Sequence, residues 1–248
     1  MNKVEFYRQK LKQLKDWEPF LLKESGLPGP RGNIELARAV AEEGNEALFE
    51  HFLSFDSAKA PANSPEEFLA FCGVLGQGKL LVTGKREIWE RLRFFAGDLR
   101  WRTREAVAMA LQMFGDTNMD ELLDQMDKWS KGDFLVQRAA AAALCEPRLL
   151  TKRKHAELVL NILDRITTLL SDTEDKGNEG FKVLRQALGY CWSVAVVAFP
   201  EKGKEMMERW FASEDKDVRW IMRENLKKNR LARMDVNWGK CWQDRMVG

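Results

Sequence analysis

The chain has 248 residues, 45% of them apolar and 31% charged, with 40 basic residues against 38 acidic ones and a net charge of +2. That balance excludes a histone-like or wholly polyanion-directed protein, although recognition depends on where charge sits more than on its sum, and the length is ample for a sizeable core. Met1 to Phe6 lacks the apolar centre of a signal peptide, and the longest apolar stretch, Val194 to Phe199, is too short to span a bilayer. A cytoplasmic protein without membrane contact is expected. Cys72, Cys145, Cys191 and Cys241 are far apart and form no CxxC pair, so neither a zinc site nor a thioredoxin-type motif is indicated and a reducing compartment fits.

Helical signals dominate from end to end, and strand signals are nearly absent. The first predicted helix runs from about Asn2 to Lys23, with Phe6, Leu11, Leu14, Trp17 and Leu21 on its buried side. The two prolines and three glycines of 26–32 must end it. Asn33 then caps a helix over Ile34 to Glu43, closed by Gly44, and a partner helix follows over Asn45 to Phe55. After a loop, Ser64-Pro65-Glu66-Glu67 opens the next helix as a capping box with proline in its first turn. A helix over Lys85 to Phe95 comes next.

From Asp98 the helices alternate regularly: Trp101 to Phe114, Asn118 to Trp129, and an alanine-rich helix capped by Asp133 and ended near Pro147. The remainder are Lys154 to Leu170, a polar loop over 171–180, Phe181 to Phe199, Gly203 to Ala212 and Asp217 to Asn229. Trp238 and Trp242 lie in the last fifteen residues, which can fold back over the final repeat. Within these helices one phrase recurs, a branched or small residue, a polar pair, then an alanine-rich or apolar run. It begins at Thr103, at Val136, more loosely at Val183, and at Val218, giving spacings of 33, 47 and 35 residues. Such spacing belongs to stacked helix pairs. The expected architecture is therefore an all-α solenoid of stacked antiparallel helix pairs winding as a right-handed superhelix. It is one domain over 1–248, with diverged helices over 1–97, clearer repeats over 98–230 and a C-terminal cap over 231–248.

The five alanines 139–143 suit an inner helix crowded from both sides. Basic residues gather between Lys79 and Arg104, eight against three acidic ones for a local net of +5. Arg219, Arg223 and Lys227 recur at i, i+4 and i+8 on the last repeat helix. Trp101 and Trp220 each sit beside arginines near the start of a repeat helix, where a solenoid presents its concave face. The expected binding surface comprises Arg100, Arg102, Arg104, Arg138, Arg185, Arg219, Trp220, Arg223 and Lys227. His51 and His155 have no second ligand at helical spacing, so neither a metal nor a cofactor is expected. No serine elbow, P-loop or dinucleotide fingerprint occurs, and Gly76-Gln77-Gly78-Lys79 has no strand before it.

Asp98-Leu99-Arg100-Trp101-Arg102-Thr103-Arg104-Glu105-Ala106-Val107-Ala108 and Asp217-Val218-Arg219-Trp220-Ile221-Met222 resemble HEAT repeats, in which an aspartate opens the inner helix. That resemblance implies a non-enzymatic scaffold with a protein partner on its concave face, the first expectation here. The second comes from the bacterial alkylpurine DNA glycosylases built of HEAT-like repeats, which the chain resembles more distantly. Trp101 and Glu105 have the spacing of that family's tryptophan and acid, and Leu135-Val136-Gln137-Arg138-Ala139-Ala140 is similar to a DNA-contacting segment. Tyr190 falls where a second aromatic would lie. The chain carries glutamate where the family has aspartate, and tyrosine where it has tryptophan. This resemblance implies DNA-backbone binding and, if the chain is an enzyme, a DNA glycosylase with Trp101, Glu105 and Tyr190 at its site.

Overall fold

The computed structural model describes residues 2–246. All regular structure among them is helical, and the chain divides into two compact units over 1–117 and 118–248. No helix is long and apolar enough to cross a membrane among the described residues.

The first unit holds α1 (Lys3–Lys12), α2 (Glu18–Glu24), α3 (Ile34–Glu43), α4 (Glu46–Leu53), α5 (Pro65–Val82), α6 (Ile88–Ala96) and α7 (Trp101–Gly115). The single helix expected over Asn2 to Lys23 is two helices. Pro19 lies in the first turn of α2, where its missing N–H costs nothing, and the Trp17 indole N–H donates to the Leu11 carbonyl at 3.0 Å, satisfying the end of α1. Leu11 and Leu21 are buried as expected, but Phe6 is half exposed. Asn33, Asn45 and Ser64 each accept a hydrogen bond from the backbone N–H three residues on, so these helices start where their caps predict. Glu67 closes its capping box one residue early, accepting from the Asn63 N–H at 2.7 Å.

The central helix is α5, which packs against α2, α3, α4, α6 and α7. It is buried nearly all round. The glycines of Gly76-Gln77-Gly78-Lys79 have a packing reason. A Cβ on Gly78 would lie 2.8 Å from the Ala110 backbone, so only glycine lets α5 and α7 touch at this depth.

The second unit holds α8 (Met119–Trp129), α9 (Phe134–Leu144), α10 (Arg153–Asp172), α11 (Glu179–Ala198), α12 (Pro200–Phe211), α13 (Lys216–Leu226), α14 (Asn229–Met234) and α15 (Val236–Met246). Helices α9, α11 and α13 form one row and α8, α10 and α12 the other. This is the repeat stack that the spacing predicts. Ala139, Ala140, Ala141 and Ala143 are buried, and α9 packs on α11 through them. The expected ten-residue loop shortens to 173–178 because both flanking helices run further than their apolar residues indicate. Asp215, not the Asp217 expected from the repeat phrase, caps α13, accepting from the N–H groups of Asp217 and Val218 at 2.9 Å. Phe211 packs against the rings of Trp238 and Trp242, with centroids 5.9 and 4.5 Å away.

Candidate nucleic-acid interface

In the first unit most of the basic residues between Lys79 and Arg104 bond to the protein itself. Lys79 donates to the carbonyls of Glu42 and Gly44 at 2.7 and 2.8 Å, Lys85 pairs with Glu46, and Arg91 pairs with Glu50. Arg100 and Arg102, expected on a binding surface, are 3% and 6% exposed. Arg100 binds the Asp98 carboxylate at 2.7 Å and reaches the carbonyls of Phe55 and Ala60. Arg102 pairs with the fully buried Glu67 at 3.1 Å and donates to the Gly29 carbonyl at 2.6 Å and to the Asn63 side chain at 3.2 Å. Their burial is what corrects the expectation: a guanidinium deep in the protein needs internal acceptors, and these two have them. Arg104 is half-buried, and its guanidinium donates to the carbonyls of Asp98 and Leu99.

These bonds position an aromatic residue. The Arg102 guanidinium sits 4.4 Å from the ring centre of Trp101, whose other surroundings are open enough to leave it 49% exposed. Trp101 and Glu105, one turn apart at the start of α7, line a cleft of about 240 Å³. Most of the remaining lining is apolar: Leu27, Ile34, Met109 and the parallel rings of Phe68 and Phe71, whose centroids are 6.3 Å apart. An aromatic face and a carboxylate line it together, beside the guanidinium groups of Arg31 and Arg102.

The second unit is organised differently. Two faces meet there, Lys182, Gln186 and Gly189 on α11 and Lys216, Trp220 and Arg223 on α13, and they line a cleft of about 800 Å³. Lys176, Arg185 and Lys228 complete a lining of six basic side chains against Asp217 and Glu224. Gly189 lets the Trp220 ring lie on α11, since a Cβ there would be 3.1 Å from that ring. The Arg185 guanidinium stacks over the other part of Trp220 at 4.2 Å and pairs with Asp217, which is 3% exposed. Lys176 pairs with Asp215. Burial works to raise that carboxyl, but the Lys176 hydrogen bond and the N–H groups of Val218 and Asp217 hold it below the usual carboxylate range.

A second cleft of about 740 Å³ is lined by Lys227, Lys228, Arg230 and Arg233, with no acidic residue. Lys228 belongs to both clefts. The expected stripe of Arg219, Arg223 and Lys227 is therefore divided: Arg223 lines the first cleft, Lys227 the second, and Arg219 neither. Arg138 is half-buried on α9 and lines neither cleft. Tyr190 is 44% exposed, and Arg230 donates to its hydroxyl while lying 4.5 Å from its ring centre. Sequence reasoning passed over Lys176, Lys182 and Lys216. The signal available for them was the i, i+4, i+7 spacing of 182, 186 and 189 and its counterpart at 216, 220 and 223.

No protein-family model matches the sequence, and no curated protein matches it. Among solved structures, the crystal structure of AlkD2 from Streptococcus mutans is similar over 88% of this chain and 98% of that one, with a TM-score of 0.63 and 21% identity. An engineered protein covers 94% of this chain and 98% of its own at 19% identity, but its TM-score of 0.34 carries no argument. What the first likeness shows is the fold, a HEAT-like helical repeat. The chain's particular likeness is to AlkD2.

Proposed function

We propose that this chain binds the phosphate backbone of DNA and excises a cationic, alkylated purine at Trp101 and Glu105. The observation that carries the reading is that these two side chains line one apolar cleft in the first unit, on a fold similar to that of AlkD2. The six basic side chains lining the larger cleft of the second unit support backbone binding, because neutralised phosphates release counterions. These features favour DNA over the protein partner expected first from the repeats.

An alkylated purine already carries positive charge, so its bond to the sugar C1′ can break without acid assistance. The bonding electron pair moves onto the ring nitrogen, the base leaves neutral, and the sugar becomes an oxocarbenium ion. Water then adds at C1′ and loses a proton. The role of Glu105 is to place negative charge beside the developing sugar cation, and that of Trp101 to offer its ring face to the cationic base.

The test is twofold. Anisotropy of a labelled duplex is expected to show binding that weakens steeply as salt is raised. Release of alkylated base from methylated duplex should fall about a hundredfold in Glu105→Gln, the scale of losing one preorganised electrostatic contact, with binding retained. Absence of base release by the wild type would sink the catalytic part and leave a DNA-binding protein.

A further inference from the structure

Of the basic side chains that line the larger cleft of the second unit, three are neutralised within the protein. Lys176 pairs with Asp215, Arg185 with Asp217 and Lys182 with Glu179. Lys216, Arg223 and Lys228 make no ion pair among the described residues, and Lys216 and Arg223 are exposed. Lys216, Trp220 and Arg223 follow at steps of four and three along α13, so an aromatic ring stands between two unpaired cations on one helix face. The ring is fixed from the α11 side. Arg185 and Gly189, one turn apart on α11, both meet it: the guanidinium is 4.2 Å from the ring centre, and a Cβ at residue 189 would lie 3.1 Å from the ring. Trp220 nevertheless stays only half-buried and lines the cleft. Beside it stand the exposed Gln186 carboxamide, which can donate and accept, and the Glu224 carboxylate, which accepts.

We propose that this cleft binds an unpaired nucleotide of single-stranded DNA, its base stacked on Trp220 and its phosphates on Lys216, Arg223 and Lys228. Unpaired cations alone would accept any polyanion, and the ring is what selects among them. An acidic peptide offers carboxylates but no wide planar group to lie on an indole. A nucleotide strand brings a flat base and a phosphate in every repeat, the pairing that aromatic rings set among cations recognise. A duplex fits less well, because its paired and stacked bases present only their edges in the grooves. At about 800 Å³ the cleft has the size of a small-ligand site. Lys228 also lines the neighbouring cleft with Arg230 and Arg233, where no acidic residue competes, so the next phosphate of the strand has a place beside it. The proposal rests on the phosphate-binding reading given above, and adds to it the state of the strand that this cleft holds.

The experiment compares three labelled probes of equal length by anisotropy at low salt: an oligothymidylate, the same backbone with abasic sites in place of its bases, and a duplex. Wild-type protein is expected to bind oligothymidylate about tenfold more tightly than the abasic strand, the scale of one base stacked on an aromatic side chain. Trp220→Leu should erase that ratio and leave abasic binding unchanged, while Trp220→Phe, which keeps a ring, should retain most of it. Lys216→Ala combined with Arg223→Ala should weaken both strands equally. A measurement on the wild type alone guards against a variant that fails to fold: an iodouracil-substituted strand should photocrosslink to the peptide that carries Trp220. Equal wild-type binding of the two strands, a ratio that survives Trp220→Leu, or crosslinks confined to other peptides overturns the proposal. Duplex bound while both single strands are ignored also overturns it and leaves backbone binding intact. Failure to bind any of the three probes overturns both readings.

Discussion

The two units use positive charge in opposite ways. In the first, Arg100 and Arg102 turn inward to Asp98, Glu67 and main-chain carbonyls, and the cleft they support is apolar. In the second, Lys182, Lys216, Arg223 and Lys228 line open clefts. A window count of basic residues ranks the first region as the stronger candidate for phosphate, and the structure reverses the order. The reason is physical. A guanidinium carries five donors in a planar fork and serves well as an internal brace, whereas a lysine on a helix face keeps its ammonium in water.

If that contrast is right, the largest effect on stability belongs to the buried pair. Glu67→Ala should destabilise the fold by about 3–5 kcal/mol, because it leaves Arg102 buried without its counter-charge, and urea unfolding would report it. Adding Arg102→Met should recover much of the loss. An equal loss from Lys182→Ala would break the comparison, since Lys182 is exposed with an i,i+3 partner in Glu179 and should contribute less than about 1 kcal/mol.

A triple change of Lys182, Arg223 and Lys228 to alanine should leave the melting temperature nearly unchanged and weaken duplex binding. The slope of log affinity against log salt should shrink by about 0.9 for each phosphate contact removed. An unaltered slope would place the phosphate contacts elsewhere.

The smallest effect concerns an exposed pair. Asp127 is held below the usual carboxylate range first by its hydrogen bond from Arg165 and then by Lys131, against a smaller opposing influence of burial. Its folded pKa lies under its unfolded one, so the pair stabilises above the unfolded value and the contribution disappears as pH falls through the folded value. Asp127→Asn should flatten the acid limb of the stability profile. With the carboxylate 40% exposed, solvent screening keeps the change below about 1 kcal/mol.

Local chemistry made much of the fold legible in the sequence. Asn33, Ser64, Asn118 and Asp133 each cap the helix they were expected to open, because a cap needs only the next three residues. The repeat spacing likewise predicts the two-row stack. What escaped depends on contacts far along the chain. Arg102 is buried because Glu67 and Gly29 receive it, 35 and 73 residues earlier. Lys176, Lys182 and Lys216 become neighbours only when α11 lies against α13. The resemblance points to Trp101 and Glu105, but the cleft they share forms only where Leu27, Ile34, Phe68 and Phe71 close on α7.

The contact of Gly78 with Ala110 has a further meaning. One side of the Trp101 cleft, Phe68 and Phe71, rides on α5, and the other, with Glu105 and Met109, rides on α7. Those two helices approach one another to the limit that a hydrogen atom permits at residue 78. The aperture is thus gauged from a point that carries no reactive group. A bulkier residue there would act as a shim, and the breadth of the ligand admitted could drift while every side chain that touches it stayed the same.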